Sequence, residues 1–221
     1  MRHICLLQKP SCREPKLVGV LFFIIFCLLV LGVGTHVEPV FAQQYIFEEG
    51  GNNSYSKSQA LSDPQNLKYI YAVVTSGGDV IDFYSLKVTR FTPHVTIELL
   101  IPKKDTHASF RPQLIFGDPN MSNMIGVTPF NFPPNIGGRV LTWANPKNPK
   151  ISSDERVFES FWVGPSITKD LVEGTYVLAV YDPLAQGGRY ILRIGGDKAR
   201  ETWKDFFNFI FAFLRIKFLL Y

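Results

Sequence analysis

The sequence is poor in cysteine, and the three cysteines that it has, Cys5, Cys12 and Cys27, all lie near its N-terminus. The rest of the chain therefore has no disulfide to hold it and must fold on its hydrophobic core alone. With 221 residues in total, the chain is long enough to bury such a core. These facts exclude a disulfide-stapled extracellular module and a cysteine nucleophile in the main part of the chain.

Catalytic motifs are also missing from the sequence. Beyond residue 42 the only histidines are His94 and His107, and their spacing is not that of two metal ligands on a helix. There is no Gly-x-Ser-x-Gly elbow and no phosphate-binding glycine loop. Two carboxylates could still serve a glycosidase, but the sequence cannot pair them. We therefore predict a protein that is not an enzyme and has no cofactor, with a hydrolase as the least favoured alternative.

The chain lacks a strong excess of charge of either sign. It has 23 Lys and Arg residues against 19 Asp and Glu residues, which gives a formal net charge of +4. A nucleic-acid-binding surface needs a far more basic face. We therefore predict no nucleic-acid partner.

The N-terminal residues 1–42 have the order of an export signal. A basic stretch is followed by residues 17–33, which carry no charge, and then by the small-residue site Val40-Phe41-Ala42. This pattern predicts a signal peptide that is cleaved after Ala42, with an uncleaved membrane anchor as the alternative. In both cases the positive N-terminus stays in the cytoplasm. We expect the main domain to be extracytoplasmic, either secreted or anchored on the outer side of the cytoplasmic membrane.

Residues 43–197 have the pattern of a β-sandwich domain. Short runs rich in Val, Ile, Tyr and Phe alternate with turns that contain Gly, Pro, Asn and Asp, and no helical period appears before residue 198. In the run from Val80 to Val88, strict alternation predicts that Asp82, Tyr84 and Leu86 face the core. The predicted strands are residues 67–74, 80–90, 94–101, 112–116, 140–144, 157–163, 174–181 and 189–194.

Two groups within this domain are candidate sites. The Pro- and Gly-rich stretch 120–149 predicts a long loop across one end of the sandwich, and long loops in compact domains are often functional. Its aromatic residues Phe130, Phe132 and Trp143 are candidates for ligand binding, although aromatic residues in a sandwich also serve as core. Asp79 and Asp82, which flank a turn, are weaker candidates for calcium ligands, since such Asp residues also simply form turns.

Residues 198–221 form a second apolar segment, for which the sequence predicts an amphipathic helix. Polar or small residues recur along one face of this helix and large apolar residues along another. Three interpretations remain open: a helix at a membrane surface or on a partner, a helix docked on its own domain, and a short membrane anchor. Nearby basic residues favour an anionic membrane surface. The candidates for membrane contact are Phe207, Ile210, Phe211, Leu214 and Phe218.

Several motifs of the sandwich domain carry a family resemblance. The stretches Gly78-Asp79-Val80-Ile81-Asp82-Phe83-Tyr84-Ser85-Leu86 and Gly174-Thr175-Tyr176-Val177-Leu178-Ala179-Val180, with the late strand Gly188-Arg189-Tyr190-Ile191-Leu192, resemble a pre-peptidase C-terminal domain. The resemblance covers residues 58–196. It implies an all-β, jelly-roll-like antiparallel sandwich of the kind appended to secreted enzymes for binding or stability, and it supplies no catalytic residue.

These observations together predict an exported, membrane-associated and non-catalytic binding module. Its expected partners are a membrane surface or a membrane protein, and a glycan, an envelope component or a protein partner at the loops. The alternative is an accessory subunit of a membrane complex, docked through its C-terminal helix.

Overall fold

The computed structural model describes one β-sandwich and a short helical segment near the C-terminus. The described residues are 43–62, 64–76, 80–104, 109–128, 130, 132–154, 159–196 and 210–216. The predicted signal or anchor segment 1–42 lies outside them. So do the calcium candidate Asp79 and the membrane-contact candidates Phe207 and Phe218.

Within the described residues the chain forms twelve strands and one short 3-10 helix, Tyr55–Lys57. The strands are β1 Gln43–Phe47, β2 Gln59–Leu61, β3 Leu67–Val74, β4 Ile81–Val88, β5 Thr92–Pro102, β6 Gln113–Asp118, β7 Met124–Ile125, β8 Gly137–Leu141, β9 Ile151–Asp154, β10 Glu159–Leu171, β11 Gly174–Tyr181 and β12 Gly188–Gly195.

The strands form two sheets of six strands each. The first sheet has the order β1-β3-β12-β5-β10-β9, and the second has the order β2-β4-β11-β6-β8-β7. Without the short edge strands β1, β2, β7 and β9, eight strands remain, and successive strands mostly alternate between the two sheets. If these eight strands are renumbered one to eight along the chain, the order in the first sheet is one, eight, three, six. The order in the second sheet is two, seven, four, five. This arrangement is the double Greek key of a jelly roll.

The all-β prediction and the predicted core face of β4 are confirmed. Tyr84, Leu86 and Val88 are buried in the central core between the sheets, and Asp82 is buried beside them. The alternating side chains of β11 and β12 enter the same core, because successive residues of a strand point to opposite faces.

The antiparallel prediction holds for the pairs of long strands, but three short edge strands depart from it. β1 pairs with β3, β2 with β4, and β7 with β8, and each of these pairs is parallel. The connection from β1 to β2 passes from the edge of the first sheet to the edge of the second. It therefore joins the two sheets at one side of the sandwich.

Both outer faces of the sandwich are also apolar, which is unusual for an antiparallel sheet with one solvated side. The outer face of the first sheet carries Tyr69, Tyr71 and Ile191, and Ile216 from the C-terminal helical segment (residues 210–216) packs on it. The outer face of the second sheet carries Phe83 and Val177, and residues of the stretch 120–136 pack on that side. The predicted long loop therefore covers a face of the sandwich and not one of its ends.

Candidate functional site

The C-terminal helical segment docks on the first sheet through its small and β-branched residues. Ala212 and Ile216 are buried, and Ile216 lies in one cluster with Tyr69, Tyr71 and Phe161. Residues at positions i and i+4 share a face of a helix, so Ala212 and Ile216 define the face turned to the sheet. Ala212 belongs to the stripe that the sequence predicted as polar or small.

Three of the large apolar residues of this segment face outward, whereas Phe213 is half-buried and Ile216 is buried. Phe211 is 71% exposed, Leu214 44% and Ile210 37%. These are the three described residues among the candidates for membrane contact. The structure therefore docks residues 210–216 on their own domain and leaves these three predicted contact residues accessible. Within the described residues, no helix has the length and hydropathy to cross a membrane.

Arg215 fixes the docked segment at the edge of the first sheet. Its guanidinium carbon lies 4.1 Å from the centroid of the Phe47 ring, a distance at which the cation is attracted by the ring face. Phe47 stacks in turn on Tyr71, with 5.5 Å between ring centroids. The segment thus continues a ladder of aromatic rings on β1 and β3.

Phe130 and Phe132 form part of the cover over the second sheet. The Phe130 ring meets Phe83 edge-on at 5.4 Å and Tyr181 at 5.8 Å between centroids. Phe132 lies over Gly117, where a Cβ would come within 2.6 Å of the phenyl ring. Glycine is therefore what lets this ring approach the strand. Both side chains are half-buried, and their role in ligand binding stays a prediction.

Trp143 lies in a different cluster from the two phenylalanines. It packs against the central core, and its indole N–H donates a hydrogen bond of 2.8 Å to the carbonyl oxygen of Pro112. The Arg111 guanidinium lies between the rings of Trp143 and Trp162, 4.8 and 5.0 Å from their centroids. The structure does not bring the three aromatic candidates together into one platform.

A buried polar cluster surrounds the calcium candidate Asp82. The hydroxyl of Tyr190 donates a hydrogen bond of 2.7 Å to Asp82 Oδ2. The hydroxyls of Tyr84 and Tyr190 are also 2.7 Å apart, and since Tyr190 has already given its one proton to Asp82, Tyr84 is the donor of this bond. We call Asp82, Tyr84, Tyr190, Glu48 and Asn52 the Asp82 cluster.

The cluster favours protonated tyrosines. Burial raises the pKa of Tyr84 well above its usual value, and the negative charges of Glu48 and Asp82 raise it further. Burial likewise raises the pKa of Tyr190, with contributions from Tyr84 and Asp82. The two hydroxyls therefore act as fixed donors near the buried carboxylate at any physiological pH.

Three side-chain oxygen atoms beside this cluster are buried without a hydrogen-bond donor. They are Glu48 Oε1, Asn52 Oδ1 and Gln59 Oε1. Glu48 Oε2 accepts the Val73 N–H at 3.1 Å, so only one oxygen of that carboxylate is satisfied. Calcium prefers oxygen ligands from carboxylates and amides, and these atoms have that chemistry.

In the part of the chain that the structure describes, no group of three or more His, Cys, Asp or Glu side chains is placed to hold a metal ion. Amide oxygens such as those of Asn52 and Gln59 are ligands of another type, and Asp79 lies outside the described residues. A calcium ion near Asp82 therefore stays a prediction.

Sequence analysis missed most members of the Asp82 cluster. Alternation along β4 places Tyr84 on the same face as Asp82, which is a signal that the sequence does contain. Glu48 and Asn52 precede the first predicted strand and carry no such signal. Tyr190 is 108 positions from Asp82, and only the pairing of β12 into the opposite sheet brings them together.

Comparison with known proteins found matches among solved structures. No family model matches the sequence, and no curated protein matches it. Among solved structures, the chain is similar to the pre-peptidase C-terminal domain of collagenase from Bacillus anthracis. The identity is 14%, the TM-score is 0.39, and the match covers 62% of this chain and 93% of that one.

Two further solved structures match parts of larger proteins. A β-glucosidase from Paenibacillus barengoltzii has 13% identity and a TM-score of 0.26, and the match covers 71% of this chain and 13% of the enzyme. A Cry1Da tryptic core variant from Bacillus thuringiensis has 12% identity and a TM-score of 0.25, with coverage of 65% and 25%. At these identities no family membership follows for the chain.

Proposed function

We propose that this protein is an exported, non-catalytic β-sandwich module that attaches to a membrane surface through its C-terminal helical segment. The observation that carries the proposal is the division of that segment into two faces. Ala212 and Ile216 are buried on the first sheet, while Ile210, Phe211 and Leu214 are exposed. A helix that served only to cover the sheet would not be expected to leave three large apolar side chains in contact with water.

A membrane surface fits this exposed face. Helices that lie at a bilayer interface insert their large apolar side chains into the boundary between headgroups and acyl chains. The outward residues are one phenylalanine, one leucine and one isoleucine within two turns, and Arg215 stands at their side, where it can approach phosphate groups. The predicted export signal would put the sandwich on the outer side of the membrane.

Vesicle flotation tests the proposal. The full-length protein is mixed with vesicles of phosphatidylcholine and phosphatidylglycerol, and the bound fraction is compared with that of the double variant Phe211→Ser and Leu214→Ser. We expect the double variant to bind at least about tenfold more weakly, since full burial of one such side chain is worth about 1.5–3 kcal/mol.

The matched control is Phe91→Ser. Phe91 is 59% exposed in the connection between β4 and β5 and does not belong to the cluster in which the helical segment packs. It should leave vesicle binding unchanged. Equal loss in the control and in the double variant would mean that any exposed apolar residue contributes, and the proposal would fall.

The second candidate function is that of an accessory subunit. The same exposed face, Ile210, Phe211 and Leu214, would then contact a membrane protein and not lipid. A photo-reactive amino acid at position 211 would form a crosslink to one protein in intact cells, and vesicle binding would be absent. Binding of a glycan or an envelope component at the half-buried rings of Phe130, Phe132 or Trp143 is a further proposal.

A further inference from the structure

A cavity of about 310 Å³ lies where β1 ends and the edge of β3 continues alone. Its walls include Phe47, Tyr71, Pro102 and Ile191, so that most of its surface is apolar. The C-terminal helical segment reaches it through Arg215. We call it the β1-end cavity.

Charges of both signs line this cavity. Arg189 from β12 and Arg215 from the helical segment are cations of its lining, and its carboxylates are Glu48, which accepts the Val73 N–H, and the exposed Glu49 that follows it. Stacking on Phe47 uses the face of the Arg215 guanidinium. Its N–H groups lie in the plane of the group and point from its edge, where they can bind an oxyanion.

A ligand complementary to the exposed Arg215 and Glu49 carries both an oxyanion and an ammonium group. The exposed side chains of Phe211 and Leu214 stand in the same segment as Arg215, so the cavity and the proposed membrane-contact face are neighbours. A phospholipid with an amine headgroup matches both features, because its acyl chains would meet the apolar face and its zwitterionic headgroup would enter the cavity.

We propose that the β1-end cavity binds the headgroup of an aminophospholipid, with the phosphate at Arg215 and the ammonium group at Glu49. The inference rests on the proposed function, because the exposed helical face would hold the membrane next to the cavity. It goes further in that it assigns a headgroup class and names the residues that select it.

Flotation on vesicles of different headgroups tests the inference. Each set contains phosphatidylcholine with the same molar share of phosphatidylethanolamine or of phosphatidylglycerol, and a third set contains phosphatidylcholine alone. We expect the full-length protein to bind the phosphatidylethanolamine vesicles about five- to tenfold more tightly than phosphatidylcholine vesicles, which is the range of one charge-assisted hydrogen bond.

Two variants separate the two halves of the headgroup. Arg215→Gln should weaken binding to both phosphatidylethanolamine and phosphatidylglycerol vesicles, since both carry the phosphate. Glu49→Gln should remove the preference for phosphatidylethanolamine and leave binding to phosphatidylglycerol unchanged or stronger. The control is Arg139→Gln, which removes an exposed arginine from β8 in the other sheet and should change neither.

The outcomes are distinguishable from a failure of the proposed function. Equal binding to all three vesicle sets, lost in the Phe211 and Leu214 double variant, would overturn the headgroup inference and keep the membrane contact. A preference for phosphatidylglycerol that Glu49→Gln leaves unchanged would also overturn it. Absence of binding to every vesicle would overturn both proposals. Titration with glycerophosphoethanolamine, which has no acyl chains, should shift the NMR signals of Arg215, and no shift would exclude recognition of the headgroup itself.

Discussion

The docking of the C-terminal helical segment makes a quantitative prediction about Ile216. Its side chain is fully buried against the outer face of the first sheet, whereas Leu214, two residues earlier and of the same volume, is 44% exposed. Truncation of either residue to alanine removes three carbon atoms. The structure therefore predicts very different effects of Ile216→Ala and Leu214→Ala on the free energy of unfolding.

The magnitude follows from burial. Ile216→Ala removes three buried carbon atoms at about 0.8 kcal/mol each, and the space left behind adds a further penalty, so that the expected loss is about 2–4 kcal/mol. Leu214→Ala removes atoms that are largely in water, and its expected loss is below about 1 kcal/mol. If the segment detaches before the sandwich unfolds, the stability lost in Ile216→Ala cannot exceed the free energy with which the segment docks.

Urea unfolding followed by circular dichroism and by tyrosine fluorescence measures both quantities. If the segment unfolds together with the sandwich, Ile216→Ala lowers the urea concentration at the midpoint of the main transition. The dependence of the unfolding free energy on urea concentration then stays unchanged. A segment that detaches first shows an earlier fluorescence change, because Tyr69 and Tyr71 lose their cover. Equal effects of the two variants, or a larger effect of Leu214→Ala, would refute the assignment of the buried face.

Three further predictions concern the polar groups of the sandwich. Tyr190→Phe leaves the buried carboxylate of Asp82 without its O–H donor and should lower the free energy of unfolding by about 1–3 kcal/mol. The control Tyr181→Phe, at a half-buried ring, should lower it by about 0.5 kcal/mol. Similar losses in both variants would contradict the hydrogen bonding described for the Asp82 cluster. Burial opposes ionisation of Asp118, but hydrogen bonds from Lys169 and from the Asn120 N–H outweigh burial and lower its pKa. The contribution of the ionised Asp118 to stability is therefore complete above the ordinary aspartate pKa of about 3.9 and is lost as the pH falls through the lowered pKa. Asp118→Asn should make the free energy of unfolding depend less on pH at the acid end, and an unchanged dependence would exclude this role. If calcium binds at Asp82 and Asn52 with a dissociation constant of about 10⁻⁴ M, 1 mM calcium should raise the Tm by about 4 °C. Asn52→Ala should abolish this rise, and the control Asp118→Asn should keep it. The absence of a rise in the unchanged chain would exclude the site.

The runs of apolar and aromatic residues predicted the long central strands well. The predicted ranges 67–74 and 174–181 agree with β3 and β11 at both ends, because these runs are buried on both faces of their sheets and are bounded by turns. β10 is much longer than predicted, since the strand continues beyond Gly164-Pro165 to Leu171. Its pairing with β5 shifts register between Val163 and Ser166, and such a bulge accommodates a proline that would otherwise end the strand.

The short edge strands gave no local signal. β1, β2, β7 and β9 lie at the margins of the two sheets, and three of them pair in parallel with a neighbour. Their conformation is set by the strand on which they pair and not by their own composition. The same holds for the Asp82 cluster and for the β1-end cavity, whose members come from segments far apart in sequence.

The two roles considered for the C-terminal helix are compatible, because different residues would serve them. Ala212 and Ile216 cover an apolar sheet face that would otherwise meet water, so this part of the segment belongs to the fold. Ile210, Phe211 and Leu214 contribute little to that cover and are accessible to another surface. Deletion of the whole segment would therefore remove the cover and the attachment together, and the exposed aromatic face of the first sheet would create a new adhesive surface of its own. Substitutions at the outward residues alone leave the fold intact, and for that reason they are the changes from which membrane attachment can be judged.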